Sequence, residues 1–314
     1  MIYHTNFDYE LALEASLKNK TYTPNRRMNN EFSYLFLWCE SKLNKVLLSD
    51  IDFGPRYIDS ISKTLGFEVK TSWTKKSSEK IENWWGKLEN IPLELKLNSK
   101  VYHQKLLETV KPKHFIHGIV CSKGEFISSG DYFFRSEYGF AGMGSFRFKN
   151  RSFIPRAGVV TPFLSKKLDL SCFYNNGETK IYINEISKMN SFYGCKVFKN
   201  DDFLTEELRR RGIDDSTVKE SFQEVIEVII GKYPELKKFQ IDGIYTDDNQ
   251  CLINEINYRK SMGQIALKLL EYFPDESSLK FSLIPKKNFK FKSNMSVMTP
   301  ENSYEYQFIT TISF

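Results

Sequence analysis

The chain has 314 residues, of which 41% are hydrophobic and 27% charged, and its net charge is +6. This composition is typical of a globular protein of about two domains and excludes disordered, collagen-like and low-complexity chains. No apolar run approaches the roughly 20 residues of a membrane-spanning helix, and the N-terminus lacks the features of a signal peptide. The five cysteines are widely spaced and form no Cys-x-x-Cys pair. We therefore expect a cytoplasmic protein with reduced thiols and no membrane partner.

The first hundred residues alternate helix and strand signals. Residues 9–18 and 56–65 have helical periodicity, with Gly66 ending the second helix, and residues 45–49 and 67–71 are predicted as strands. Strand, helix and strand in this order predict a small open α/β unit, whose ligand side is the carboxyl end of its strands. Asp50 and Asp52 follow the first of these strands and are expected on that side.

The remaining residues mix strands with isolated helices and predict an α+β arrangement. The clearest helix covers residues 216–232, with Asp214, Asp215 and Ser216 as capping candidates. Residues 131–135 and 145–149 are predicted as paired strands on either side of a glycine-rich loop.

The most informative segment, residues 239–260, has two apolar strands around a polar turn at 247–250. With Asp248 and Asn249 as the two turn residues, Asp242 lies opposite Glu255 and Gln240 lies opposite Asn257. Alternation then places Glu255, Asn257 and Arg259 on the face that carries Asp242.

Opposed side chains on neighbouring strands have Cβ atoms about 4.5–5.5 Å apart, so the two carboxylates of this hairpin would repel each other without a cation. Oxygen ligands without Cys or His favour Mg²⁺ or Mn²⁺, with phosphate oxygens completing the shell. The alternative is a surface hairpin with solvated acids, and a slip of one residue would remove the pairing.

Further residues are suited to binding phosphate. Gly139, Gly142 and Gly144 would let backbone N–H groups approach phosphate oxygens, although neither a P-loop nor a dinucleotide fingerprint is present. Arg135 ends the entering strand and could hold a phosphate with two hydrogen bonds. Lys100 lies in the first turn of a helix that Asn98 and Ser99 can cap. Taken singly, each feature is also compatible with an ordinary loop or a solvated side chain.

Read in chain order, these features resemble the ATP-grasp superfamily over residues 97–270. Asp242, Glu255 and Asn257, spaced by thirteen and then two positions, resemble the family's Mg²⁺ ligands. Arg259 falls where many members carry an arginine that handles the transferred phosphoryl group. Lys100 and Arg135 resemble the two basic residues that hold the ATP phosphates, although the family usually has lysine at the second position.

Residues 159–165 resemble the hinge that contacts adenine through its backbone. This resemblance implies cofactor contacts at Val160, Thr161, Phe163 and Leu164, with Thr161 where the family commonly has glutamate. Asp169 is the candidate for the ribose hydroxyls.

The resemblance implies an ATP-grasp fold preceded by a small open-sheet α/β domain. The expected division is residues 1–96 for this pre-ATP-grasp domain, 97–160 for the N-terminal grasp subdomain with the glycine loop, and 161–314 for the C-terminal subdomain with the metal-binding hairpin and a C-terminal extension.

The implied activity is an ATP- and Mg²⁺-dependent ligase that activates a carboxylate as an acyl phosphate for attack by an amine, with Arg259 and Arg135 as catalytic residues. The expected partners are small-molecule or peptide carboxylates and amines, and a homodimer is a reasonable expectation without a sequence signal of its own. A small-molecule kinase and a non-catalytic nucleotide-binding regulator stay open as alternatives. Nucleic acid is a weaker one, since the basic segments at 209–211 and 286–292 are interpreted as a helix end and an edge strand.

Overall fold

The computed structural model describes residues 1–128, 130–139, 144–150, 152–187, 191–301 and 306–314. Its α-helices, α1–α9 in chain order, are Tyr9–Leu17, Arg26–Glu31, Tyr34–Cys39, Gly54–Leu65, Ile91–Asn98, Lys100–Val110, Asp201–Arg210, Asp215–Lys232 and Met262–Leu270. Its strands, β1–β18, are Ile2–His4, Val46–Leu48, Ser72–Thr74, Ile81–Asn83, Ile119–Cys121, Phe126–Ile127, Tyr132–Ser136, Ser145–Phe148, Ser152–Phe153, Gly158–Pro162, Lys166–Asn175, Glu178–Ile186, Phe192–Phe198, Lys238–Thr246, Cys251–Asn257, Ser278–Pro285, Met295–Val297 and Phe308–Ser313. Within the described ranges, none of the helices is both long and apolar enough to traverse a lipid bilayer.

The chain divides into two compact units. The first comprises Met1–Glu89, Tyr193–Asn200 and Arg259–Phe314, and the second comprises Asn90–Phe192 and Asp201–Tyr258. The three-part division at residues 96/97 and 160/161 stays a prediction.

The first unit contains the predicted open α/β sheet, in the parallel order β3-β2-β1-β4. Helix α4 ends where Gly66 adopts φ 74°, as predicted. The strand predicted at 67–71 is wrong, because the strand begins at Ser72. The Lys70 N–H donates to Ser41 O at 2.7 Å, and the Thr71 hydroxyl donates to the Leu43 carbonyl at 2.9 Å. These hydrogen bonds hold the segment as a connecting loop before β3. The same unit contains the antiparallel series β13-β16-β18-β17.

The second unit contains two antiparallel arrangements, β5-β10-β7-β8 and β15-β14-β11-β12. The latter separates its faces cleanly, because side chains alternate along each strand. One face carries buried apolar side chains, among them Leu170, Cys172, Ile183 and Ile241. Helix α8 packs there, with the Phe222 ring so close to Gly243 that a Cβ atom on this glycine would lie 3.4 Å from it. The opposite face carries the polar residues of the candidate site, such as Ser171 and Asp242, together with Phe173 and Ile244.

Helix α8 confirms the strongest helix prediction. It begins at Asp215, one residue before the predicted start, and Asp214 caps it by accepting a hydrogen bond from the Thr217 N–H at 3.0 Å.

Candidate functional site

The β14–β15 hairpin has the predicted pairing at the candidate metal ligands. Asp242 lies opposite Glu255, and Gln240 lies opposite Asn257. Near the turn the register differs by one residue, because the loop contains three residues rather than two: Thr246 N–H donates to Gln250 O at 2.8 Å. An irregularity between Ile253 and Glu255 then inserts Asn254 as an extra residue, a β-bulge that restores the predicted register.

Protein donors hold the Asp242 carboxylate in place. Its Oδ1 accepts hydrogen bonds from Ser171 Oγ at 2.5 Å and Gln240 Nε2 at 2.6 Å, and its Oδ2 accepts one from Asn257 Nδ2 at 2.7 Å. A second layer supports these donors: Asn184 Nδ2 donates to Ser171 Oγ at 2.6 Å, and the Tyr182 hydroxyl donates to Gln240. A carboxylate fixed in this way is pre-organised for binding a cation.

Sequence reasoning missed Ser171, Asn184 and Tyr182. The available signal was the alternation of polar and apolar residues in β11 and β12, which places Ser171 and Asn184 on the face of Asp242.

Lys100 connects three elements of the second unit. Its Nζ lies 3.1 Å from Glu255 Oε1 and donates to Gly139 O at 2.9 Å, and the residue is only 8% exposed. The predicted cap of its helix is confirmed, since Ser99 Oγ accepts from the Tyr102 N–H at 3.0 Å. The amine is therefore positioned beside a candidate metal ligand and the start of the glycine loop.

Arg135 is buried at the same side of the hairpin. Its Nη1 donates to the carbonyl of Asn254, the bulge residue, while its Nε is buried without a partner among the described residues. Burial lowers the pKa of the guanidinium, and the carboxylates of Glu255 and Asp242 oppose that effect. A buried N–H without an acceptor lowers the stability of the fold by about 1–3 kcal/mol. An anionic ligand that accepted a hydrogen bond from this Nε–H would remove that cost.

His103 follows Lys100 by one helical turn and was not identified from the sequence. Its imidazole is buried, and burial together with the positive charge of Lys100 lowers its pKa to about 4. His103 is therefore neutral near pH 7 and adds no positive charge to the site.

The predicted adenine-contacting residues lie in and after β10. Val160 pairs with Ile119 on one side and with Phe134 on the other. The Phe163 N–H donates to Asp131 O at 2.9 Å, and the Arg147 guanidinium lies 3.4 Å from the centre of the Phe163 ring.

Thr161 is buried opposite Phe133, and Leu164 lies in the irregular segment that follows β10. Asp169 lies on the polar sheet face, two residues before Ser171, and forms an ion pair with Lys166 at 2.7 Å. Burial raises the pKa of the Asp169 carboxyl. Of the loop glycines, Gly144 has φ 74°, which favours glycine, and Gly142 lies outside the described residues.

The structure does not place Arg259 on the strand face with Glu255 and Asn257. Strand β15 ends at Asn257, and the next N–H, of Tyr258, donates to Asn98 Oδ1 at 3.2 Å instead of continuing a ladder. Arg259 belongs to the first unit, where its guanidinium donates to the Glu10 carboxylate and lies 5.7 Å from the Trp85 ring centre. Glu10 is buried and was not identified from the sequence.

The donor atoms are of the type that a hard divalent cation prefers, but they are too few to complete its coordination shell. Two carboxylates and an amide on adjacent strands offer the oxygen ligands that Mg²⁺ prefers. Within the described residues, no group of three or more His, Cys, Asp or Glu side chains is arranged to hold a metal. A cation at Asp242 and Glu255 would therefore need the Asn257 oxygen and oxygens from a ligand.

Comparisons with known proteins identify the fold. No family model matches the sequence, and no curated protein does. An N5-carboxyaminoimidazole synthetase from Staphylococcus aureus, solved with ADP, has a TM-score of 0.52 and 10% identity over 100% of this chain and 92% of that one. A biotin carboxylase from Campylobacter jejuni, solved as a β-γ-ATP complex, has a TM-score of 0.54 and 7% identity over 99% and 86%. An L-amino acid ligase from Bacillus licheniformis has a TM-score of 0.51 and 9% identity over 92% and 91%. These likenesses confirm the ATP-grasp fold predicted from the sequence.

Proposed function

We propose that the protein is an ATP-dependent ligase that converts a carboxylate into an acyl phosphate and passes the acyl group to an amine. The observation that carries the proposal is the arrangement of Asp242, Glu255 and Asn257 on one sheet face, with Lys100 and Arg135 beside them in the same unit. The similar solved structures include a synthetase, a carboxylase and a ligase, two of them solved with adenine nucleotides, which supports the same class of chemistry.

In this proposal Asp242, Glu255 and Asn257 hold Mg²⁺. When bound, the ion neutralises charge on the ATP phosphates during phosphoryl transfer. The chain supplies the remaining positive charge: Arg135 offers its unpaired Nε–H to a phosphate oxygen, and Lys100 turns its amine from Glu255 toward the phosphates. Backbone N–H groups of the glycine loop would add further donors.

The other predicted residues have separate roles in the proposal. The backbone of residues 160–164 contacts adenine, and Asp169 accepts from the ribose hydroxyls. Arg259 stabilises charge on the phosphoryl group as it moves to the substrate carboxylate. Its salt bridge to Glu10 fixes one edge of the guanidinium and so limits the orientations that the other edge can adopt.

Thermal unfolding with and without Mg-ADP tests the nucleotide site. Ligand at one hundred times its dissociation constant adds about 2.7 kcal/mol to the free energy of unfolding, which corresponds to a rise of several degrees in Tm. We expect this rise in the wild type and its loss in Glu255→Gln. Asp248→Asn is the matched control, because it makes the same charge change at the exposed turn of the same hairpin. An unchanged rise in Glu255→Gln would contradict the metal assignment.

The reaction class needs a product measurement. Panels of carboxylates and amines would be screened with Mg-ATP for phosphate release, and the products of active pairs would be identified by mass spectrometry. An amide supports the ligase. A stable phosphoester with no amide would contradict the ligase proposal and indicate a kinase that uses the same nucleotide site.

A further inference from the structure

The two oxygens of the Asp242 carboxylate are held differently. Oδ1 accepts two hydrogen bonds, one from Ser171 Oγ at 2.5 Å and one from Gln240 Nε2 at 2.6 Å. A carboxylate offers about four lone-pair sites, which are shared equally by its two oxygens. Protein donors therefore occupy both sites on Oδ1, and a cation that Asp242 coordinates has to be bound through Oδ2.

A further residue orients each of the two donors. Asn184 Nδ2 donates to Ser171 Oγ at 2.6 Å, and because an amide NH₂ group cannot accept, the single hydroxyl proton of Ser171 is directed to Asp242. The Tyr182 hydroxyl donates to Gln240 Oε1, which turns the other arm of that amide, its Nε2, toward Asp242. Ser171, Tyr182 and Gln240 are all buried, so water has little access to these hydrogen bonds.

Asn257 contacts the other carboxylate oxygen, Oδ2 of Asp242, to which its Nδ2 donates at 2.7 Å. Because the NH₂ group of this amide faces Asp242, its carbonyl oxygen is directed away from that carboxylate. The same amide can therefore hold Oδ2 and offer its own oxygen to a cation.

The two common hard divalent cations differ in how they use a carboxylate. Mg²⁺ demands near-octahedral geometry with ligands at about 2.0–2.1 Å, whereas Ca²⁺ takes about six to eight ligands at about 2.3–2.6 Å and often binds both oxygens of one carboxylate. An aspartate restricted to one oxygen suits the smaller ion and withholds a ligand that the larger ion can use.

We propose that Ser171 and Gln240 determine the metal selectivity of the site, because they occupy Oδ1 and restrict Asp242 to coordination of Mg²⁺ through one oxygen. Asn184 and Tyr182 are positioning residues that keep the two donors directed to Oδ1. This inference rests on the proposed function, since it requires a cation at Asp242. Loss of either donor releases Oδ1 and shifts the preference of the site from Mg²⁺ toward Ca²⁺.

Competition for Mn²⁺ in the complex with ADP tests the proposal. Mg²⁺ or Ca²⁺ is added to the protein with Mn-ADP, and the released Mn²⁺ is measured by electron paramagnetic resonance, with Mn-ADP alone as the reference for binding by the nucleotide. We expect the wild type to prefer Mg²⁺. Ser171→Ala should raise the affinity for Ca²⁺ relative to Mg²⁺ by at least about fivefold. Gln240→Met, which keeps a long side chain but has no amide, should act in the same direction.

Ser221→Ala is the matched control for Ser171→Ala. It removes an equally buried hydroxyl from α8, the helix that packs on the other face of the sheet, and should keep the wild-type ratio of the two affinities. Asn184→Ala and Tyr182→Phe should shift the ratio as the donor variants do, but by less. They also provide the test if thermal unfolding shows that a donor variant does not fold.

The outcomes separate this inference from the proposed function. An unchanged ratio in a folded donor variant that still binds Mn²⁺, an equal fall in affinity for both ions, or the same shift in Ser221→Ala would overturn the role of Oδ1 and leave the proposed function intact. A wild type that prefers Ca²⁺ would do the same. Absence of Mn²⁺ binding by the wild type with ADP, or Mn²⁺ binding that Glu255→Gln leaves unchanged, would contradict the proposed function and this inference with it.

Discussion

Lys100 should act as a competitor of the metal when no nucleotide is present. Its amine lies 3.1 Å from Glu255 Oε1, and the residue is buried, so a cation that binds Glu255 must first displace a positive charge. We expect Lys100→Met to bind Mn²⁺ alone more tightly than the wild type and to bind Mn-ADP less tightly, because the same amine is proposed to hold phosphate.

The size of the effect follows from the distance. Two unit charges 3.1 Å apart attract by about 1.3 kcal/mol at a dielectric constant of about 80 and by about 5 kcal/mol at about 20. Since about 1.4 kcal/mol corresponds to a tenfold change in affinity, even the smaller value predicts a nearly tenfold tighter Mn²⁺ site in the variant. The hydrogen bond from Lys100 to Gly139 O, at 2.9 Å, adds to the cost of moving the amine.

Electron paramagnetic resonance of free Mn²⁺ measures this affinity directly, without a known substrate. Lys105→Met is the matched control, because it removes an exposed lysine from the same helix. Equal Mn²⁺ affinity in the wild type and Lys100→Met would refute the competition. Tighter Mn²⁺ binding in both lysine variants would mean that the lost positive charge, and not the position of Lys100 beside Glu255, causes the effect.

Two further predictions concern stability. Hydrogen bonds from the Thr217 and Ser216 side chains and the Thr217 N–H lower the pKa of Asp214 from 3.8 to about 2, so its ionised form stabilises the fold above pH 4 and this contribution fades as the pH falls through 2. The Tm difference between the wild type and Asp214→Ala should therefore shrink from pH 4 to pH 2, and a constant difference would contradict the cap. Gly231→Ala, in α8 with open space around its Cβ position, should raise the free energy of unfolding by about 0.5–1 kcal/mol in urea titration, whereas Gly144→Ala, with φ 74° and a clash with Ser136 Oγ, should lower it. Equal responses of the two variants would refute the backbone argument.

The parts of the structure that follow from local patterns were predictable. Helix α8 shows its apolar face and its cap in the sequence, and the two strands predicted on either side of the glycine-rich segment, β7 and β8, pair with each other. Lys100 could be placed in the first turn of its helix because Ser99 is a strong capping residue. Its contact with Glu255 could not be inferred, since it depends on how two segments about 150 residues apart pack together.

Two strand predictions, for residues 67–71 and 286–292, were wrong. Residues 67–71 alternate like a strand but are held by side-chain and backbone bonds to residues 40–43. Residues 286–292 alternate lysine with phenylalanine, yet the structure has a short helical turn at Lys286–Asn288, and Phe291 is exposed. Alternation therefore indicated the buried side chains of residues 67–71, among them Val69 and Thr71, but not the backbone pairing, and in residues 286–292 it indicated neither.

The β14–β15 hairpin shows how a correct strand pairing can follow from an incorrect turn. The sequence predicts a two-residue turn, but the turn has three residues, and this change alone would move Glu255 away from Asp242. Asn254 corrects the register as the extra residue of a bulge, and its carbonyl accepts the hydrogen bond from Arg135. One irregularity therefore aligns the candidate metal ligands and also positions the candidate phosphate-binding arginine. In the sequence the bulge shows only as a break in alternation, because Ile253 and Ile256, which share the apolar face, are three positions apart rather than two or four.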